Sequence, residues 1–229
     1  FMPDAPSRPR HAFRLVLFFA LAYCASYAAA PWLPPTAGWE NGPVENLQAG
    51  LLFAGGLLAL HWRRTAAQAG GDAGRSHAVF WLMVAPIWFV LCARELSWGT
   101  VFMTPLAVVP ELGPMFSSSQ QLPYKPLVAP VIALILVWQL VLFVRTRQDR
   151  TLQRIWRGGG FPLVEIGLCV VGMLLSAEAE GHGFIGFSEL SHAAQQTLEE
   201  LAELWAYIAL LLAQWRVART LGPRQGALN

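Results

Sequence analysis

Residues 127–144 read LVAPVIALILVWQLVLFV, eighteen positions without a charge. A helix of that length crosses most of a hydrocarbon layer about 30 Å thick, and a run so free of charge has no water-facing side to offer a soluble fold. Gln139 is its one strongly polar side chain. The natural solvent of this stretch is lipid, and the rest of the chain follows the same pattern.

Five further apolar runs occupy residues 15–32, 47–62, 78–93, 161–177 and 201–215. None alternates polar and apolar positions as a barrel strand does, so each reads as a helix, which satisfies its own backbone groups in lipid. The predicted helices are 13–32, 44–62, 77–98, 127–145, 161–179 and 189–219. Together they make one all-α, six-transmembrane-helix bundle over residues 1–229, with no repeat and no linker to a second domain. Composition agrees: 55% of residues are hydrophobic and 13% charged, about half the charged share of an ordinary soluble domain. This excludes a disordered chain and argues against a soluble globule.

Basic residues set the orientation. Fourteen of the sixteen lie before the first run, between the second and third, between the fourth and fifth, or after the last. The positive-inside rule makes that side cytoplasmic and places both termini there, as expected of a multi-pass protein of a bacterial-type inner membrane. The opposite, periplasmic side holds Arg94 and Lys125 against ten glutamates: Glu40, Glu45, Glu95, Glu111, Glu178, Glu180, Glu189, Glu199, Glu200 and Glu203. Acids contribute little to orientation, so this acidic face is a separate signal. The expected partners are membrane lipids, with a membrane-protein partner or a second copy of the chain, and no nucleic acid.

The last predicted helix carries His192, Gln196, Glu199, Glu203, Tyr207 and Gln214 at intervals of three, four and seven, which aligns them in one polar stripe. An ionisable side chain at the depth of Glu203 or Tyr207 is costly and marks a functional site unless a structural partner explains it. Glu189 and His192 are spaced as Glu-x-x-His, the pattern by which di-iron and di-manganese bundles bring a carboxylate and an imidazole to one metal. Glu178, Glu180 and His182 are the nearest companions, at a different spacing. Glu95 follows Arg94 at the end of the third helix. Glu45, with Asn46 and Gln48, opens the second behind Pro43, where an acid also has an ordinary capping role. Cys24, Cys92 and Cys169 lie on separate helices and read as packing residues.

So many carboxylates at one level need a compensating cation, or else some of them hold protons. The leading expectation is a membrane-embedded, metal-dependent enzyme acting on a lipid or quinone. Glu95, Glu189, His192, Glu199 and Glu203 would bind a divalent iron, manganese or zinc ion, with Glu45, Glu178, Glu180, His182 and Gln196 as additional candidates. Arg94 and Tyr207 are assigned the catalytic roles, Arg94 orienting an acid or an anionic substrate group and Tyr207 donating a hydrogen bond or proton. Two alternatives stand beside it: a proton- or cation-coupled transporter or channel with Glu203 as relay, and a non-catalytic subunit of a membrane complex. The loop 100–126, proline-rich and apolar, is expected to lie at the interface or fold over the bundle as a lid.

Overall fold

The computed structural model describes residues 8–181, 187 and 189–222. Its helices are α1 (Arg8–Ala29), α2 (Pro43–Ala69), α3 (Gly71–Glu95), α4 (Ser118–Gln121), α5 (Lys125–Arg145), α6 (Gln148–Arg157), α7 (Leu163–Ala179) and α8 (His192–Leu221). The only strands among the described residues, β1 (Ala107–Val109) and β2 (Gly113–Met115), form a small antiparallel hairpin in the loop before α4. The architecture is all-α. Five helices, α1, α2, α3, α5 and α8, are long and apolar enough to cross a membrane. The 17 residues of α7 span about 25 Å.

α8 is the axis of the bundle, packed against α1, α2 and α7. Its buried face is built on Ala202, Ala206, Ala209 and Ala213, small residues that let neighbouring backbones approach closely where no hydrophobic effect drives association. Opposite them on α7 lies Gly172, where a Cβ would sit 2.5 Å from the Tyr23 hydroxyl, 2.9 Å from Ala206 Cβ and 3.0 Å from the carbonyl of Ala202. Valine at 172 therefore has no room. Overpacking of this kind costs about 1–3 kcal/mol, so Gly172→Val is expected to lower the unfolding midpoint in detergent, while a substitution at Gly167, which has open space around it, leaves it unchanged. On the other side of the core, Gly55 and Gly56 of α2 receive the rings of Trp88 and Phe89 of α3.

Several boundaries differ from the sequence expectation. The segment 63–76, expected to link the second and third spans, is helical except at a sharp turn where Gly70 and Gly71 take φ of +67° and +66°. The basic stretch after the fourth span folds into α6. Its Gln148, Thr151 and Ile155 are buried, and Thr151 Oγ1 lies 2.8 Å from Ser76 Oγ, fastening α6 to α3. α8 starts at His192 rather than near 189, because Ser191 caps it by accepting the N–H of Ala194 at 3.3 Å.

α5 stands at the edge. Of its residues only Gln139 is buried, and its amide donates to the carbonyl of Met83 at 3.0 Å, in the turn before Pro86 of α3. Leu127, Val131, Leu134, Leu140 and Val144 are exposed around α5, as suits a helix at the edge of the bundle that meets lipid.

Candidate functional site

At the acidic end of the bundle the loops close over α2, α3 and α8. Gly38 packs directly on Thr197 of α8, and Gly113 of the hairpin on the ring of Trp39. Glu40 holds the two layers together. Its Oε1 accepts from Ser97 Oγ at 3.0 Å and its Oε2 from the N–H of Phe116 at 3.0 Å. The apolar loop thus folds back over the bundle. α3 ends beneath it in a left-handed turn, with φ of 44° at Ser97, 60° at Trp98 and 104° at Gly99. Two of these three are not glycine, a conformation that persists only where surroundings enforce it. Here the Tyr124 hydroxyl donates to the carbonyl of Trp98 at 2.7 Å, and Lys125 Nζ sits 5.2 Å over the Trp98 ring.

Under this cap, side chains from three helices meet. The Tyr207 hydroxyl lies 2.8 Å from Glu95 Oε2 and 3.3 Å from Glu203 Oε2. Ser176 Oγ of α7 donates to Glu203 Oε1 at 3.0 Å, and Arg94 Nη2 is 3.6 Å from the same oxygen. Glu95, Tyr207 and Glu203 are all buried, whereas the Arg94 side chain is 52% exposed. Tyr207 is fifteen residues into the thirty of α8, about 22 Å along a rod of about 45 Å. The site therefore reaches the middle of a helix that is long enough to span.

The donor count in this cluster is informative. Tyr207 carries one hydroxyl hydrogen and is within reach of two carboxyl groups. Either that hydrogen is shared between the two carboxylates, or one carboxyl carries a proton of its own and each contact is a full hydrogen bond, so the trio is a place that can hold or pass a proton. Among the described residues, the buried side-chain oxygens or nitrogens lacking a partner are Oε1 of Gln48, Gln148, Gln196 and Gln214 and Oε2 of Glu165 and Glu200. All six are acceptor oxygens, and those of Gln148 and Glu165 lie at the basic end, away from the acid site. The amide of Gln48 donates to the backbone carbonyl of Glu200 at 2.6 Å, and that of Gln214 to the carbonyl of Gly55 at 2.9 Å.

Below Tyr207 the interior turns apolar. Ala49, Leu52, Trp88 and Cys92 are buried around it, with Leu210 and Leu211 packed against them. Gln214, two turns further along α8, is the next buried polar group on that helix. At the basic end, Glu165 is paired with Arg216 at 2.8 Å.

Of the residues expected from sequence to bind a metal or act with it, the structure brings together Arg94, Glu95, Glu203 and Tyr207. Glu199 is half-buried on the same helix, one turn before Glu203. The two members of the Glu-x-x-His pair are not placed with them. Glu189 and His192 are exposed, and because α8 begins only at His192, the helical turn that would align the pair is not formed. Among the described residues, no three of His, Cys, Asp and Glu are grouped so as to hold a metal ion. Glu45 takes the capping role: buried at the start of α2, its Oε2 accepts the backbone N–H of Asn41. Glu178 and Glu180 sit at the C-terminal end of α7, the first half-buried and the second exposed. Gln196 is half-buried on α8, and His182 lies outside the described residues.

Ser176 was not among the sequence candidates. Its signal was present, because Glu165, Leu168, Gly172, Ser176 and Ala179 recur at three and four and form the buried stripe of α7. The serine inside an apolar run gave no chemical hint of its own.

Comparison with protein-family models, with curated proteins and with solved structures finds no match to this chain.

Proposed function

We propose that this chain is a six-span protein of the cytoplasmic membrane, with both termini inside, and that it is a proton-coupled carrier or channel whose outer acid site takes up and releases protons. α7 supplies the sixth span, and the arginine-rich end faces the cytoplasm. The observation that carries the proposal is the Tyr207 hydroxyl shared between Glu95 and Glu203 within spanning helices. Ser176 and Arg94 hold Glu203 in place, and half-exposed Arg94 marks the outward side of the site. The apolar layer of Leu52, Trp88, Leu210 and Leu211 is the inner barrier, so a proton crosses only when the helices rearrange. The test is proton movement across proteoliposomes driven by an imposed pH difference: flux above that of empty liposomes, lost in Glu203→Gln, supports the proposal, and flux at the empty-liposome level in the native protein refutes it.

A second reading, a metal-dependent enzyme acting on a lipid or quinone, draws on one other feature. An apolar groove of about 470 Å³ runs between α3 and α5, from Trp98 and Tyr124 at its outer end to Pro86 and Ile135, with Ala93 in its wall beside Arg94. A lipid-soluble molecule would fit there. Stoichiometric iron, manganese or zinc in protein purified without added metal would favour this enzyme reading over the carrier.

A further inference from the structure

At the end opposite the acid site, α6 presents two stripes. Gln148, Thr151 and Ile155 face the bundle, while Arg150, Arg154 and Arg157 recur at four and three on the exposed side. The inner stripe is tied down by the Ser76–Thr151 contact and by the Gln148 amide donating to the carbonyl of Ser76 at 3.1 Å. The helix is therefore a fixed mount. Its three arginines, with Gln153 and Gly158, line an open cleft of about 410 Å³ on the outer surface of α6 itself, with no acidic side chain in its wall. Asp149, the nearest acid in sequence, is engaged by Arg147 at 3.3 Å. Arg154 is further oriented by His77, whose Nε2 accepts from its Nη1 at 2.9 Å, which leaves the other guanidinium donors available. Trp156 of the same helix packs its ring on Phe161 and is 59% exposed, as an anchor in the headgroup layer would be.

Orientation by positive charge explains arginines at this end of the protein, but not three of them around one concavity. We propose that this cleft binds a phosphate group, held by the forked donors of Arg150, Arg154 and Arg157, from an anionic phospholipid headgroup or from free phosphate. Guanidinium forks match phosphate oxygens bidentately, and a basic pocket at the membrane surface adds attraction to anionic lipid.

The test uses full-length protein, delipidated and then titrated with phosphatidylglycerol or phosphatidylcholine by native mass spectrometry, and with inorganic phosphate by calorimetry. Phosphatidylglycerol is expected to bind at least tenfold more tightly than phosphatidylcholine. Arg150→Gln with Arg157→Gln should weaken it about thirtyfold, equivalent to about 1 kcal/mol for each arginine. Both side chains are exposed, so the double variant should keep the parent's unfolding midpoint. Arg63→Gln with Arg64→Gln removes equal charge outside the cleft and should change binding less than threefold. Phosphate binding that only the cleft variant loses, without a lipid preference, assigns the site to free phosphate. The proposal is overturned if neither probe separates the cleft variant from the parent, or if the Arg63 and Arg64 variant weakens binding as much.

Discussion

Glu203→Gln is expected to reduce proton flux through proteoliposomes at least about a hundredfold, within the range by which a positioned proton-transfer group usually acts. The substitution keeps the shape of the side chain. The amide oxygen can still accept from Ser176 Oγ, now at 3.0 Å from the carboxylate, or from Tyr207, so packing around Ala202 and Ala206 has no reason to change. Arg94 loses its carboxylate partner, but its side chain is 52% exposed and water can solvate it. What disappears is the capacity to gain and lose a proton. Tyr207→Phe should reproduce a large part of the loss by removing the hydroxyl that links Glu203 to Glu95. The comparison is direct: a folded Glu203→Gln protein with the parent's flux would exclude Glu203 as relay.

The largest stability effect is expected at the other end of the bundle. Glu165 is almost wholly buried, and Arg216, 2.8 Å away, is its ion partner. Arg216→Ala would strand a buried carboxylate whose second oxygen already lacks a partner. Breaking one side of a buried pair costs about 3–5 kcal/mol, whereas replacing both partners with apolar residues is often neutral or stabilising. Arg216→Ala should therefore unfold at a much lower midpoint in detergent, while Glu165→Leu with Arg216→Met should stay near or above the parent. If the double variant is as unstable as the single one, the loss comes from the aliphatic stem of Arg216 rather than from stranded charge. Neither change touches Glu203, so proton flux in the double variant should persist.

Hydropathy reads the lipid-facing part of this protein well and the rest poorly, for physical reasons. The run 127–144 lies within α5, because nothing but helix satisfies such a stretch in lipid. The helical extensions to Ala69 and from Gly71 are polar enough to escape a hydropathy criterion, and α6 is amphipathic with a strongly polar outer face. On α8 the recurrence of His192, Gln196, Glu199, Glu203, Tyr207 and Gln214 marks one polar stripe, of which Glu203, Tyr207 and Gln214 are buried, Gln196 and Glu199 half-buried and His192 exposed. Which side chains meet across helices is a different matter. Glu95 reaching Tyr207 depends on where α2 holds the end of α3 relative to α8, and spacing along one chain segment carries no information about that. The Glu-x-x-His spacing aligns its two residues only where one helix runs through both, and here Ser191 starts the helix between them.

The most direct measurement is an infrared difference spectrum of the protein in liposomes as the outside pH is stepped from neutral to acid. If Glu95, Tyr207 and Glu203 act as one proton-sharing unit, a carboxylic-acid carbonyl band should respond to the step, vanish or shift in both Glu95→Gln and Glu203→Gln, and move in Tyr207→Phe. A spectrum in which no carboxyl band responds to pH, or one that all three substitutions leave untouched, would contradict it.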